Sequence, residues 1–183
     1  MTFTPHPLPE PAARLLAEVG APARLVAHLE LVHDVAVRLL DRLADACPDL
    51  AVDREAVLFG AATHDIGKAL HRHELTGPGS AHEPDGHRLL REHGVAERLA
   101  RFARTHADWH APGIGVEDLL VGLADKIWKA RRAADLENLV AARIAAASGR
   151  ERWAAFLILD DILDALAADA DARLAYQNAH PVD

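Results

Sequence analysis

The chain has 183 residues, half of them hydrophobic and 26% charged, with a formal net charge of -8, one cysteine and twelve histidines. That length suits one domain whose core needs no disulfide or structural metal, and the apolar half excludes a wholly disordered chain. The acidic balance argues against general nucleic-acid binding, no apolar run is long enough to cross a bilayer, and lone Cys47 suits a reducing, cytoplasmic setting.

The first residues, Met1 to Pro7, lack the basic-then-apolar pattern of a signal peptide. Alanine is the commonest residue, 38 of 183, and the alternation expected of strands is nowhere sustained, so an all-α domain is expected. No element is assigned before Pro22. A long helix is expected over 23–46, between Pro22 and Pro48. A second starts at Asp53 as N-cap and runs to about Ile66. Residues 70–85 read as irregular around Thr76-Gly77-Pro78-Gly79-Ser80. Helices follow over about 83–93, 95–108 and 116–134, with Ala111-Pro112-Gly113 between the last two. Further helices cover 136–147 and 150–168, and a short tail reaches Asn178.

Projection onto helix faces narrows the histidines. In the first long helix Leu25, Leu29, Val32, Ala36, Leu40 and Leu43 form an apolar stripe, with Glu30, Asp34, Asp41, Arg38 and Arg42 opposite. His33 projects inside the stripe and His28 nearer its edge; a single histidine so placed reads as a hydrogen-bonded core residue. The next helix is apolar on every face, Ala56 to Ala62, and delivers Thr63-His64-Asp65. A buried carboxylate needs a cation or a helix N-terminus to compensate it. Asp65 could cap a neighbouring helix or pair with Lys68, but a metal is the more economical partner because His64 is itself a ligand type. Asp125, after the apolar run Leu119 to Ala124, follows the same logic. His106 and His110 are four apart, the spacing with which two histidines share a helical face and one metal, unless His110 merely ends its helix. His82 opens another helix. His71, His73, His87 and His93 read as solvated, and His6 and His180 as terminal.

His33, then His64-Asp65, then Asp125 on successive helices make residues 22–132 resemble the HD-domain metal-dependent phosphohydrolase superfamily. The string Thr63-His64-Asp65-Ile66-Gly67-Lys68 and the segment Leu123-Ala124-Asp125-Lys126-Ile127 carry the likeness. The resemblance implies an HD-domain helical bundle over about 22–134 with a helical C-terminal extension over about 135–183. It implies that His33, His64, Asp65 and Asp125 hold a first divalent metal, and that His82 and His106, with His110 as an extra ligand, complete a second bridged through Asp65. Within the superfamily the pattern is similar to the bacterial branch that splits diadenosine tetraphosphate. It departs in Trp128-Lys129-Ala130-Arg131, which replaces that branch's acidic-proline continuation. The Gly-Tyr-Pro signature of cyclic-dinucleotide phosphodiesterases is absent.

Two His/Asp-bound metals suit phosphoester hydrolysis, since they generate hydroxide from water and clamp phosphate oxygens. The ligand types fit Fe, Mn, Zn or Co. All three lysines, Lys68, Lys126 and Lys129, lie within four residues of a proposed ligand in a chain that otherwise uses arginine. Lys68 or Lys129 is expected at a substrate phosphate, with Lys126 at Asp125; surface pairing with Glu117 or Asp135 is the bland alternative. Asp65, Lys68 and Glu83 are the candidate catalytic residues, with Glu83 or Asp108 as proton donor or as support for a ligand histidine. The expected substrate is a phosphorylated small molecule or nucleotide. The rival readings are a di-iron oxygenase that cleaves C–C or C–P bonds with the same ligand set, and a non-catalytic metal-binding module. The C-terminal aspartates read as a solvated helix face, and Trp153, Phe156 and Tyr176 as packing or homodimer contacts.

Overall fold

In the computed structural model, which describes residues 3–182, the chain is helical throughout and has no strand among the described residues. Helix α1 spans Glu10–Glu18, α2 Ala23–Ala46, α3 Arg54–Thr63 and α4 His82–Glu92. Two 3₁₀ turns, Ile66–Ala69 and Arg72–Leu75, lie between α3 and α4. Short helices α5 (Glu97–Ala100) and α6 (Phe102–Thr105) lead to α7 (Val116–Ile127), α8 (Ala134–Ser148), α9 (Arg152–Ala167) and α10 (Ala170–Asn178).

Helix α2 is the axis of the bundle. Its buried face, from Leu31 through Leu43, packs into one apolar core with α3, α7, α8 and α9. The core therefore runs on into the C-terminal extension without a break. A second apolar cluster joins Ala12, Leu15 and Leu16 of α1 to Leu25, Leu29, Phe59 and Leu90. Helix α1 has no counterpart in the sequence reading. It is a short amphipathic helix that starts at a proline-rich stretch, with Pro9 as N-cap and Pro11 in its first turn, where a missing N–H costs nothing.

Two expected helices are shorter. Asp53 caps α3 by accepting from the Ala56 N–H at 3.0 Å, but the helix stops at Thr63 and the chain tightens into a 3₁₀ turn. Helix α7 ends at Ile127 because Ala130 takes a left-handed conformation, φ 57°, and the Arg131 N–H donates to the Lys126 carbonyl at 3.1 Å. That bond closes the end of the helix, a place where glycine is the usual residue. The helix expected over 95–108 is divided at Arg101, whose guanidinium takes the Arg98 carbonyl and also donates to Asp118 at 3.1 Å.

Asp34, placed on the polar side of α2 by projection, is fully buried. The reason lies in the N-terminal segment, which crosses α2: the His6 N–H donates to Asp34 at 3.1 Å, the His6 ring meets the same oxygen, and Arg38 Nε donates to the other at 2.9 Å. Burial alone would raise the Asp34 carboxyl, but these contacts outweigh it and hold the pKa below its ordinary 3.8.

Two outcomes follow for stability. Ala130→Gly is expected to raise the urea unfolding free energy by about 1 kcal/mol, because glycine removes the left-handed strain of an L-residue and returns part of that gain as chain entropy. Asp34 stabilises the fold above its unfolded pKa and loses that contribution as pH falls through the lower folded value. Asp34→Asn is therefore expected to cost on the order of 1–3 kcal/mol at neutral pH and to flatten the loss of stability below about pH 4, as read by urea titrations at the two ends of that range.

Candidate metal centre

The chain segment after α3 sets the centre of the site. His64 follows the last residue of α3, and its Nδ1 lies 3.0 Å from the Ala61 carbonyl. A carbonyl only accepts, so Nδ1 carries the hydrogen and Nε2 presents a lone pair inward. Asp65 comes next, at the start of the first 3₁₀ turn, with its carboxylate almost wholly buried.

Two further helices bring imidazoles to it. Gly67 lets the turn approach the start of α4 so closely that a Cβ would stand 2.0 Å from the His82 carbonyl. This seats His82 with Nε2 3.0 Å from Asp65 Oδ1. Glu74, buried in the second 3₁₀ turn, holds His82 from behind: it bonds the ring Nδ1 and accepts from the Ala81 and His82 N–H groups at 3.0 and 3.1 Å. His106, just past α6, keeps Nδ1 3.0 Å from the Phe102 carbonyl and Nε2 3.6 Å from Asp65 Oδ1. Gly122 of α7 makes room for that turn, since a Cβ there would meet the His106 carbonyl at 2.6 Å. Asp118 locks it, accepting from Arg101, from the Thr105 hydroxyl at 2.6 Å and from the Gly115 N–H at 3.0 Å.

On the other side of Asp65 stand His28 and Asp125. His28 Nε2 is 3.2 Å from Asp65 Oδ2 and 3.6 Å from Asp125 Oδ1, and its ring packs edge-on against Trp128 with centroids 5.3 Å apart. His64 Nε2 is 3.5 Å from Asp125 Oδ1. Two ligand-type groups result, His28–His64–Asp65 and Asp65–His82–His106, which share Asp65 and are buried throughout. Asp125 lies against the first.

Electrostatically, two carboxylates stand among four imidazoles, each carboxylate with one lysine beside it. Burial would raise Asp65, but the His64, His28, His82 and Lys68 groups around it hold its carboxyl well below the usual range. Asp125 is likewise held low against burial, by His64, His28 and Lys126. Burial lowers His28, and with the neighbouring His64 it lowers His106 to about 4. Burial would also lower His64, yet the Asp65 and Asp125 carboxylates outweigh it and raise its pKa. The buried Nε2 atoms of His28 and His64 have no hydrogen-bond partner. Lone pairs of neutral imidazoles that face carboxylate oxygens at these distances need protons or a cation between them, and an N/O donor set of this kind fits a divalent transition metal.

Two expected ligands lie elsewhere. His33 is buried, but its neighbours are His6 and Asp34; its Nδ1 is unpartnered and burial lowers its pKa to about 4. Residues five apart on a helix point about 140° apart, so His28 and His33 cannot serve one cluster, and α2 turns His28 toward Asp65. A signal for this was present in the sequence: substrate must reach a ligand, and His28 projects to the edge of the apolar stripe rather than inside it. His110 is exposed and pairs with Asp135 at 2.6 Å. The chain leaves the helix after Thr105, so the spacing of four from His106 no longer means one face. Glu74 was also missed, because no spacing links it to His82; it stands in the segment read as irregular.

The lysines separate by partner. Lys68 donates to Asp65 Oδ2 at 2.6 Å and lines a cleft of about 320 Å³ beside His28. Lys129 lines the same cleft. Lys126 donates to Asp125 at 3.0 Å, the supporting place expected for it rather than a substrate contact. Glu83 is half-buried; burial raises its carboxyl, and the Asp65 and Glu74 charges add to the rise. A groove of about 390 Å³ between α1 and the end of α4 lies apart from the cluster.

No helix among the described residues is long and apolar enough to cross a membrane. No curated protein and no solved structure matches the chain at a significant level. The family model for the HD domain matches residues 13–130, which contain every member of both ligand-type groups. On that match the chain belongs to the HD-domain family, which generally comprises metal-dependent phosphohydrolases.

Proposed function

We propose that the chain is a metal-dependent phosphohydrolase that cleaves a phosphate ester or nucleotide at a binuclear His/Asp site. The observation that carries this reading is the pair of buried groups sharing Asp65, with the Nε2 atoms of His28 and His64 unpartnered. His28, His64, Asp65 and Asp125 would hold one metal, and Asp65, His82 and His106 the other. Bound there, two metals would supply the Lewis acidity that lowers the pKa of a coordinated water and neutralises phosphoryl oxygens.

The chain's own residues prepare the rest. Glu74 and the Ala61 and Phe102 carbonyls fix which nitrogen of His82, His64 and His106 faces inward, so these three rings need not reorient before binding. Lys68 reaches both Asp65 and the cleft, where its ammonium can hold a substrate phosphoryl oxygen as a point charge. Glu83, half-buried next to His82 at the start of α4, is the candidate to deliver a proton to the leaving oxygen.

In purified protein, His28→Ala is expected to lower bound metal and to cut turnover by about 100-fold or more. His33→Ala should leave the metal content unchanged. Elemental analysis beside a phosphoester and nucleotide panel, with Asp65→Ala as the inactive reference, checks both. Glu83→Gln is expected to lower kcat by roughly 100-fold with full metal content, read as kcat and metal stoichiometry on the same samples. Failure to release phosphate or nucleotide with any of Mn, Co, Zn or Fe would sink the hydrolase reading, and substrate-dependent oxygen uptake by the iron-loaded protein would replace it with the oxygenase.

A further inference from the structure

The cleft beside His28 has an outer end that the paired His/Asp groups do not account for. Leu174 and Gln177 of α10 form its wall, and both lie beyond the residues matched to the family. The C-terminal segment is tied down over α2 by several bonds. Arg24 Nε donates to the His180 carbonyl at 2.9 Å, Arg24 Nη1 to Asn178 at 3.1 Å, and the Arg24 N–H to the Pro181 carbonyl at 2.9 Å. The Tyr176 hydroxyl donates to Glu30 at 2.7 Å. Behind the wall, the fully buried Arg173 holds the Leu166 carbonyl at 2.7 Å.

The charges in the cleft are unequal. Lys68 is matched by Asp65 and Lys126 by Asp125. Arg24 has only neutral oxygen acceptors, and the Lys129 ammonium lies over the Trp128 ring, 5.3 Å from its centroid. Among the described residues neither is paired with a carboxylate, although the chain carries a net charge of -8. Lys129 lies in the turn beyond the end of α7, whereas Arg24 stands four residues before His28 on α2. Residues so spaced along a helix are neighbours, about 5–6 Å apart between Cβ atoms. Arg24 is therefore placed one turn along α2 from His28, and both cations line the cleft beside the first ligand group.

We propose that the outer end of the cleft is a second anion subsite, formed by Arg24, Lys129 and Gln177, that selects substrates carrying a second anionic group beyond the phosphoryl group at the metals. It rests on the phosphohydrolase reading for the position of the first phosphoryl group. The extension outside the family segment then sets specificity: the Gln177 amide adds a donor to the two cations, and Leu174 limits the width of the group that can follow.

The test is calorimetric titration of the full-length manganese-loaded protein with inorganic phosphate, methylenediphosphonate and phosphonoacetate. At least one of the two-anion ligands is expected to bind about tenfold tighter than phosphate, and comparison of the two distinguishes a second phosphate from a second carboxylate. Lys129→Gln, at an exposed position, is expected to weaken the preferred two-anion ligand roughly fivefold and phosphate by less than about twofold. Gln177→Ala should act in the same direction to a smaller extent. Equal affinity for all three ligands, or a Lys129→Gln variant that weakens phosphate and the two-anion ligand alike, overturns the subsite. Phosphoester turnover without any two-anion preference defeats the subsite and leaves the hydrolase standing. A Lys129-dependent preference in a protein that hydrolyses nothing does the reverse.

Discussion

A carboxylate buried in an apolar helical bundle has to be compensated, and Asp65 is the group around which this molecule meets that demand. Three nitrogen groups approach within 3.2 Å of it, from His28, Lys68 and His82, and His106 and His64 stand just beyond. These groups come from α2, from the first 3₁₀ turn and α4, and from the ends of α3 and α6. Removing the carboxylate would leave inward-facing imidazoles without purpose; leaving it uncompensated would cost several kcal/mol. The fold and the site are thus one electrostatic problem.

Precision in that arrangement comes from residues with no chemistry of their own. Gly67 and Gly122 let backbone segments approach where any side chain would collide. Asp118 binds Arg101, Thr105 and the start of α7 together, which fixes the turn that bears His106. Glu74 orients His82 through the nitrogen that does not face Asp65. Supports of this kind hold a ligand histidine in one tautomer and one direction, and so shape metal affinity as much as the ligands do.

The C-terminal extension belongs to the same physical unit. Its leucines share the core of α2 and α7, and Arg173 is fully buried beneath α10 with its guanidinium on the Leu166 carbonyl. Because the segment after α10 also grips Arg24, the cleft beside the candidate metal centre is bounded by residues beyond the stretch that matches the family, Leu174 and Gln177.

The amino-acid pattern by itself determined much. Alanine content and apolar periodicity specified an all-α chain, and Pro22 and Pro48 bracketed α2 at its observed ends, Ala23 and Ala46, because proline punctuation acts locally. Two aspartates at the ends of apolar runs, Asp65 and Asp125, marked the site, since burying charge is costly wherever it occurs. Tertiary structure decided what depends on neighbours distant in sequence. It chose His28 over His33 because only one direction around α2 faces Asp65. It released His110 because the backbone turns after Thr105, and buried Asp34 beneath a crossing N-terminal segment. It also recruited Glu74 and α10, whose roles rest on contacts between segments far apart in the chain, which no local spacing encodes.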